Sequence, residues 1–396
     1  MKPSLRFNRI HLILRGIYCL LVICALHLLP AAVPAAEPPS APPLVLGQSC
    51  ALSGPVQNLG LEMRAGLLAS IAHINDMGGV KGRHIQLISL DDSYEPDLAV
   101  RNTLELITMR NAFLLIGAVG TPTSQAIIPL VDQYDIPFFA PVTGAEFLRT
   151  PFRKNIVNVR PSYFQEMEKL ASYLVEQKKL TRIACFYQHD SYGFTGLQGI
   201  EQALARRGMQ LVAKGSYERN TVAIMGALRD IDAGHPEAVV MVGAYSACAE
   251  YIKLSKAKSI RPPSVFCNIS FVGTESLAAA LGSHGGDVIV SQVVPFPRDT
   301  TLPLVRDYRA SMEKYQRDAP LSFNSLEGYI AGRLFAAIAQ QVPGELTREN
   351  FLNTMENQGI FDLGGLHLHF GPQDHQGLDT VHLTSISPGI HPLHED

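Results

Sequence analysis

The sequence predicts an α/β fold in which two doubly wound parallel sheets follow one another. Short apolar runs of strand length alternate with longer segments whose apolar residues recur at helical spacing. No hairpin signal separates the first strand-like runs, and such alternation predicts a parallel sheet covered on both faces. The alternation begins again near residues 157–161. A length of 396 residues with 46% apolar content suffices for two domains, each with its own core.

The first unit begins with a buried strand at residues 44–48, which leads through a Ser-Gly-Pro turn into a helix. In that helix Leu61, Ala65 and Leu68 share one face, and the glycine pair at 78–79 is expected to end it. Pro96 suits the first turn of the next helix. Further strands are predicted at residues 84–90, 113–117 and 136–140, and a further helix at residues 123–131.

The second unit repeats this pattern and is followed by a long C-terminal region. Strands are predicted at residues 182–187, 210–213, 238–242, 265–268 and 288–293, and helices at 163–176, 192–207, 222–231 and 247–256. The C-terminal region adds helices near 302–315, 325–340 and 347–356, and then a strand-rich tail from residue 366. Since this region is too short for a third domain, we expect it to pack back onto the two units. The chain should therefore cross between them more than once.

Residues 1–36 are predicted to be a cleaved secretory signal peptide. Residues 1–15 are basic, residues 16–26 form an unbroken apolar run, and small residues precede a cleavage point near Ala36. A membrane anchor is the alternative, but the apolar run is shorter than the ~20 residues that a spanning helix needs. Residues 37–43 (EPPSAPP) are predicted to be a stiff, Pro-rich linker. We therefore expect an exported chain that does not span the membrane after cleavage.

The charge of the chain disfavours nucleic-acid binding. The formal net charge is −3, and it becomes −7 when the four basic residues of the predicted signal peptide are removed. An acidic protein lacks the basic surface that binds a phosphate backbone. The mature chain keeps Cys50, Cys185, Cys248 and Cys267, without the spacing of a metal site. These are interpreted as small buried thiols, and one bridge from Cys248 to Cys267 is the alternative.

Three loops that follow predicted strands of the first unit place hydroxyl groups at helix starts. They cover residues 49–55, 117–125 and 141–145. Ligands of open parallel sheets bind beyond the carboxyl ends of the strands, and helix N-termini with Ser or Thr attract anions. Plain N-capping is the alternative for each loop taken singly. Three such loops on one edge of a sheet favour an anion-facing site.

Signatures of catalysis are missing from the sequence. It contains no nucleophile elbow, no Walker loop and no dinucleotide fingerprint after the first strand, so no catalytic residue and no cofactor are predicted. Six of the thirteen histidines lie in the last thirty residues, and His367 and His369 would share one strand face. Exposed polar histidines are favoured over a metal site, because no third ligand stands at a fixed spacing.

A succession of short motifs runs through the loops. These are residues 51–55 (ALSGP), 74–82 (INDMGGVKG), 91–96 (DDSYEP), 116–120 (IGAVG), 136–141 (IPFFAP), 187–193 (YQHDSYG) and 239–245 (VVMVGAY). In order and spacing, from about residue 44 to residue 356, the succession resembles the leucine/isoleucine/valine-binding family of ABC-transporter substrate-binding proteins. The resemblance implies the type I periplasmic binding fold, with two lobes joined by a three-stranded hinge. Lobe 1 would comprise residues 44–158 and about 294–356, and lobe 2 residues 159–293 and about 366–396.

The resemblance implies that lobe 1 supplies most ligand-binding groups. Hydroxyl side chains after the first and third strands look like those that receive a ligand carboxylate, and they are Ser53, Thr121, Thr123 and Ser124. The loop after the fourth strand, with Thr143 and Gly144, looks like the segment that meets the ligand's amino group or backbone. Leu59 stands where the family has an apolar wall.

Lobe 2 is implied to supply an aromatic lid, Tyr192 and Tyr245, for which core packing is the alternative. Family members that bind α-amino acids usually add an acidic residue after the strand at 265–268. This chain has the neutral Asn268 in that segment, and a buried ammonium without a carboxylate is unfavourable. An amino-acid ligand would therefore need Glu275, Glu146 or another acid, and otherwise a neutral or anionic ligand is favoured.

The predicted function is that of a periplasmic solute-binding subunit of an ABC importer. It would capture a small polar ligand, an amino acid or a related carboxylate or amide, between its lobes and deliver it to a permease in the inner membrane. The alternative is a ligand sensor of the same fold that reports to a membrane receptor or kinase. An enzyme ranks third, because no nucleophile–base pair is evident in the sequence.

Overall fold

The computed structural model describes residues 42–386 and 389–393. The predicted signal peptide and most of the predicted linker lie outside the described residues. The first sheet is parallel throughout, in the order β2-β1-β3-β4-β5. Its strands are β1 (Leu44–Cys50), β2 (Ile85–Asp91), β3 (Leu114–Ile116), β4 (Phe138–Phe139) and β5 (Ile156–Val157).

The second sheet combines a parallel core with two antiparallel strands. Its order is β14-β13-β10-β9-β8-β6-β7, and β13 pairs in antiparallel fashion with both β10 and β14. The strands are β6 (Ile183–Gln188), β7 (Ala213–Tyr217), β8 (Ala238–Val242), β9 (Val265–Asn268), β10 (Val288–Gln292), β13 (His382–Ile386) and β14 (Ile390–Pro392). A separate hairpin is formed by β11 (Ile360–Asp362) and β12 (His367–His369). Of the strand-rich tail predicted from residue 366, β13 and β14 extend the second sheet, whereas β12 belongs to this hairpin.

Helices follow the strands in both halves of the described chain. They are α1 (Gln57–Asp76), α2 (Pro96–Thr108), α3 (Thr121–Gln133), α4 (Tyr163–Ser172), α5 (Ser191–Ala205), α6 (Met225–Asp232), α7 (Tyr245–Lys258), α8 (Thr274–Leu281), α9 (Pro303–Tyr315), α10 (Phe323–Gln341) and α11 (Arg348–Gln358). A π-helical turn, Tyr173–Gln177, continues α4. Among the described residues, none of these helices is both long and apolar enough to cross a membrane.

Local sequence signals explain where several helices begin. Ser162 accepts a hydrogen bond from the Gln165 N–H at 3.2 Å, and the Gln165 side chain accepts one from the Ser162 N–H at 2.7 Å. This capping box satisfies two backbone donors at the start of α4. The Asp190 carboxylate accepts a hydrogen bond from the Tyr192 N–H and caps α5 in the same way. Pro96 and Pro303 stand in the first turns of α2 and α9, where no N–H is needed.

The edge strand β7 differs from the prediction, which placed a strand at residues 210–213. The observed strand starts at Ala213 and pairs with β6 as far as Tyr217. Its residues Lys214, Gly215 and Ser216 are polar or small, so the sequence pattern did not indicate a strand there. Pairing with β6 overrides this weak propensity, and Gly215 allows close contact with Ala227 of α6.

The two sheets share one topology, and we call each sheet with its helices a lobe. Strand order 2-1-3-4-5 recurs as β7-β6-β8-β9-β10 in the second sheet. Within residues 42–386 the chain passes between the lobes three times: from β5 to α4, from β10 to α9, and from β12 to β13. Open sheets of this order bind ligands where the strand order reverses, beside the carboxyl end of the first strand. The fold therefore presents two such edges to each other.

The last long helices pack against the first sheet's helices. Helix α10 approaches α1 so closely that a Cβ on Gly66 would lie 1.8 Å from the Ser325 carbonyl oxygen, and one on Gly328 would lie 2.2 Å from that of Met63. The Arg348 guanidinium at the start of α11 donates to backbone carbonyls near β3, including that of Phe113 at 2.8 Å. These contacts fix α9 to α11 in lobe 1.

Candidate ligand-binding site

In the loop after β1, the hydroxyl group of Ser53 forms hydrogen bonds with the turn that follows β2. Ser53 is exposed, and its Oγ donates to Asp91 Oδ2 at 2.5 Å and lies 2.9 Å from the Ser93 Oγ. The other Asp91 oxygen accepts the Leu52 N–H at 2.8 Å. The hydroxyl of Ser53 is thus engaged within lobe 1, in contact with the end of β2.

The loops after β3 and β4 meet in a buried hydroxyl cluster. Thr121 Oγ1 lies 2.7 Å from Thr143 Oγ1 and 3.4 Å from the Tyr163 hydroxyl. Thr143 Oγ1 also accepts the Ala145 N–H at 3.1 Å. The first turn of α3 adds Thr123, whose hydroxyl donates back to the Val119 carbonyl. It also adds Ser124, whose buried hydroxyl has no hydrogen-bond partner among the described residues.

Aromatic side chains from both lobes fill the space beside this cluster. Tyr94 of lobe 1 and Tyr163, Tyr192 and Phe271 of lobe 2 are all inaccessible to solvent. The Tyr192 ring lies 5.5 Å from that of Tyr163 and 4.6 Å from that of Phe271, measured between centroids. The Tyr94 ring is 6.0 Å from Phe271. These distances are those of direct aromatic contact, so the lobes are closed on each other at this edge.

Two glycines allow the close approach of these rings. A Cβ on Gly120 would lie 2.3 Å from the Tyr94 ring, and one on Gly144 would lie 2.6 Å from the Tyr163 ring. A Cβ on Gly273 of lobe 2 would lie 2.5 Å from the Leu59 Cδ2 atom, so Leu59 of lobe 1 also packs directly on a glycine. The switch-point edge of lobe 1 is therefore covered by side chains of the protein itself.

Polar contacts also cross between the lobes. The Arg219 guanidinium donates to Glu95 at 2.8 Å, and the Asn220 amide donates to the same carboxylate at 2.7 Å. The Gln188 amide donates to the Tyr94 hydroxyl at 3.3 Å. These bonds hold the loop after β2 against lobe 2.

A buried ion pair lies where the chain first passes between the lobes. Arg160 donates to both carboxylate oxygens of Glu327, with distances of 2.7 and 2.5 Å, and to the Ser270 hydroxyl at 3.0 Å. Glu166 accepts from the Ser270 N–H at 2.8 Å and from the Ser291 hydroxyl at 2.6 Å. This network joins α10 of lobe 1 to the second sheet through one arginine.

An open groove of about 830 Å³ lies between the lobes, between α1 and α8. One wall is formed by α1 and the loop at 315–320, and the other by α8 and the half-buried Tyr245. The Asn58 amide of α1 donates to the Ser276 hydroxyl of α8 at 3.1 Å and so bridges the two walls. The groove has the size and the two-lobed lining of a small-molecule site.

Three carboxyl groups line this groove: Glu62 of lobe 1, Glu275 of lobe 2, and the exposed Asp318 of the loop after α9. Glu62 is 5% exposed and accepts hydrogen bonds from Ser322 at 2.8 Å and Asn324 at 3.2 Å, while burial raises its pKa. Glu275 Oε2 is inaccessible to solvent and has no hydrogen-bond partner among residues 42–386 and 389–393. Burial, and then the charge of Glu62, raise the pKa of Glu275 to about 8.

The residues implied by the resemblance fall in three places. Thr121, Thr123, Ser124, Thr143, Gly144, Tyr192 and Leu59 lie in or beside the closed aromatic edge, Tyr245 lines the groove, and Ser53 is exposed on lobe 1. Asn268 is buried at the end of β9, and neither atom of its side-chain amide has a partner among the described residues. The four cysteines of the described chain are free and buried.

Sequence reasoning missed three contributors to these sites. Tyr94 and Phe271 fill the aromatic edge, and Glu62 lines the groove beside Asn58. The spacing of Asn58 and Glu62, four residues apart on one predicted helix, was the available signal for a polar face. Among the described residues, no three His, Cys, Asp or Glu side chains are grouped as a metal ion would require, and His367 and His369 are exposed on β12.

Comparison with known proteins agrees with this architecture. A model of the periplasmic binding protein family matches residues 43–389. A curated relative, Leu/Ile/Val-binding protein homolog 7 of Brucella suis, is 23% identical over 327 residues, which are 79% of this chain and 81% of the relative. The structure of a possible leucine/isoleucine/valine-binding protein from Rhodopirellula baltica is 36% identical, with a TM-score of 0.86 over 91% of this chain and 98% of that one.

A second solved structure shows the fold alone, because its sequence identity is 18%. It is a branched-chain amino acid ABC transporter protein from Thermus thermophilus with bound valine, with a TM-score of 0.80 over 90% of this chain and 96% of that one. The resemblance stated from the loop motifs is thereby confirmed, as is the two-lobed α/β fold. The chain belongs to the periplasmic binding protein family, among the relatives of the leucine/isoleucine/valine-binding proteins.

Proposed function

We propose that this chain is the solute-capturing subunit of an ABC importer, which takes a small polar ligand in the periplasm and delivers it to an inner-membrane permease. The observation that carries the proposal is the groove between α1 and α8, because its polar lining comes from both lobes. A ligand held there contacts Glu62 of lobe 1 and Glu275 of lobe 2 at once, and so favours the closed arrangement.

The relatives support an amino acid or a related carboxylate or amide as the ligand. The Rhodopirellula protein is described as a possible leucine/isoleucine/valine-binding protein, and the Brucella protein as a homolog of the Leu/Ile/Val-binding protein. In this proposal Tyr245, which lines the groove, covers the ligand on closure, whereas Thr121, Thr143, Gly144 and Tyr192 become accessible at the aromatic edge when the lobes separate. Cleavage near Ala36 releases the mature chain into the periplasm.

The test is ligand binding by the mature chain, residues 37–396, after unfolding and refolding to remove any carried ligand. Thermal unfolding is followed with branched, aromatic and acidic amino acids, their amides and simple carboxylates. A ligand at ~100 times its dissociation constant adds about 2.7 kcal/mol to stability and raises the Tm measurably. Failure of every compound to raise the Tm would contradict solute capture.

The importer role needs a second experiment in the source organism. Uptake of the radiolabelled ligand is compared between a strain that lacks this gene and the same strain complemented with it. We expect uptake to fall in the deletion strain and to return on complementation. Unchanged uptake together with a lost transcriptional response to the ligand would instead support the sensor.

A further inference from the structure

We infer that the groove between α1 and α8 binds the positively charged amine of a ligand that has a single cationic end and an apolar body. The inference rests on the proposed function, because it names the ligand chemistry of the same cleft. It depends on three features of the groove: an acidic end with an unused acceptor, an apolar stripe, and an arginine at the far edge.

The acidic end is built from both lobes. Glu275 Oε2 is buried against the groove without a donor, whereas Glu62 already accepts bonds from Ser322 and Asn324. The hydroxyl of Ser276, the residue after Glu275, donates to Glu62 Oε1 at 3.4 Å. A buried acceptor without a donor is unfavourable, and an ammonium with its three N–H groups can satisfy Glu275 and the neighbouring oxygens together.

The apolar stripe follows from the geometry of α1. Successive residues of a helix are rotated by about 100°, so Leu61, Ala65 and Leu68 lie on one side of α1, beginning next to Glu62. All three line the groove, and Ala279 and Ala280 of α8 also contribute to its lining. A ligand bound through its amine at the acidic end therefore places its carbon chain along this stripe.

An arginine limits the ligand to one cationic end. By the same rotation Arg64 lies about 160° around α1 from Glu62, at the opposite edge of the stripe. It lines the groove, and its Nε is buried without a hydrogen-bond partner among the described residues. A second ammonium at that edge would meet this positive charge. The groove should therefore prefer a monoamine to a diamine of similar length.

Protonation of the acidic end provides a readout that needs no variant. The charged or titratable groups that face Glu275 are Glu62, Arg298 and Tyr308, and the groove lining adds Arg64, Tyr245, Tyr315, Arg317 and Asp318. With a pKa of about 8, the carboxyl of Glu275 is mostly protonated at pH 7 in the free protein. Binding of a cation then releases close to one proton per amine, and the binding enthalpy should vary with the ionisation enthalpy of the buffer.

The experiment is titration calorimetry of the refolded mature chain with three probes. These are 3-methylbutylamine, the diamine 1,5-diaminopentane, and 3-methylbutanoate, which has the same carbon skeleton as the monoamine but a negative end. We expect the monoamine to bind at least tenfold more tightly than either other probe, with proton release. Equal or tighter binding of the carboxylate or the diamine would overturn the inference.

The matched variants are Glu275→Gln and Glu345→Gln. Glu275→Gln keeps the shape of the side chain and removes its charge, and we expect it to weaken monoamine binding more than tenfold and to abolish proton release. Glu345 is exposed in the loop after α10, so Glu345→Gln should leave both unchanged. Monoamine affinity that is equal in Glu275→Gln and the unmodified chain would also overturn the inference.

The outcome separates this inference from the proposed function. If the chain binds leucine or another compound of the Tm screen but does not bind 3-methylbutylamine through Glu275, solute capture is supported and the amine site is refuted. If no compound of either series binds, both the proposed function and the amine site are refuted. Circular dichroism and the Tm of each variant confirm that lost binding is not lost folding.

Discussion

The substitution Glu327→Gln tests whether the buried ion pair at the lobe junction stabilises the fold. The side chains of Arg160 and Glu327 are only 1% and 2% exposed, and two hydrogen bonds join them. Burial acts to lower the pKa of Arg160, but the charge and hydrogen bonds of Glu327 raise it above its ordinary value. Removing the carboxylate charge leaves the guanidinium charged inside the protein.

The expected loss can be worked from these contacts. Removing one partner of a buried pair typically destabilises a protein by about 3–5 kcal/mol, because the other charge stays buried. Arg160 keeps its bond to the Ser270 hydroxyl, and the nearby Glu166 partly compensates, so the lower half of that range is expected. With an unfolding entropy of about 2 cal/mol/K per residue, a loss of about 3 kcal/mol lowers the Tm by roughly 4 °C.

The assay is urea unfolding followed by circular dichroism, with differential scanning calorimetry for the Tm. The matched control is Glu105→Gln, which removes the partner of Arg110 in an ion pair whose side chains are 34% and 49% exposed. An exposed pair contributes less than about 1 kcal/mol, so this control should change little. If Glu327→Gln and Glu105→Gln lost equal stability, the reasoning from burial would be refuted.

Three further predictions concern the groove and the closed edge. Because the pKa of Glu275 is raised in the folded protein, its contribution to stability is present below about pH 4.5 and is lost as the pH rises to about 8. Urea unfolding across this range should show that the free energy of unfolding declines by a few kcal/mol. The substitution Glu275→Gln should remove this decline. Tyr245→Ala should weaken 3-methylbutylamine binding more than tenfold in calorimetry, whereas Tyr245→Phe, which keeps the ring, should stay within a few-fold of the unmodified chain. Gly120→Ala should lower the free energy of unfolding by at least about 2 kcal/mol, because φ is +114° and the new Cβ would meet Tyr94. The control Gly226→Ala lies in α6, where a new Cβ meets nothing within 4 Å, and should raise the free energy of unfolding by up to about 1 kcal/mol. Equal effects of the two substitutions would contradict this reasoning.

The alternation of strands and helices could be predicted because it depends on local apolar spacing. Fully buried strands such as β8 are continuous apolar runs, and such runs stand out in any sequence. The position of β7 could not be predicted in this way. Its pairing with β6 is a tertiary contact, and Lys214, Gly215 and Ser216 carry no strand signal of their own.

The aromatic edge could not be predicted, because it depends on backbone turns. Tyr94 reaches Gly120 after two consecutive residues, Ser93 and Tyr94, adopt positive φ angles of 48° and 61°. The Asp92 carboxylate accepts the Tyr94 N–H at 2.9 Å and so stabilises that turn. The sequence indicates a turn at Asp91 and Asp92, but it does not give the direction in which the side chain of Tyr94 points.

The groove could not be predicted either, because Glu62 and Glu275 are 213 positions apart in the sequence. Only the closed arrangement of α1 and α8 brings Glu62 near Glu275. The resemblance implies that an amino-acid ligand needs another acid in place of Asn268, with Glu275 and Glu146 as candidates, and that a neutral or anionic ligand is favoured otherwise. The spacing of Asn58 and Glu62 indicates a polar helix face, but such a face is normally solvated and does not by itself indicate a ligand site.

The aromatic edge and the acidic groove act in opposite directions on lobe closure. Tyr94, Tyr192 and Phe271 are inaccessible to solvent in this closed arrangement, and each buried ring contributes on the order of 2 kcal/mol. The closed arrangement also holds Glu62 near Glu275, which is unfavourable while the Glu275 Oε2 atom lacks a donor among the described residues. At the proposed amine site, a bound cation would remove only this unfavourable contribution and would shift the population toward the closed state by its differential affinity. In this arrangement the aromatic residues supply the general driving force for closure, and the two acids make it depend on the ligand.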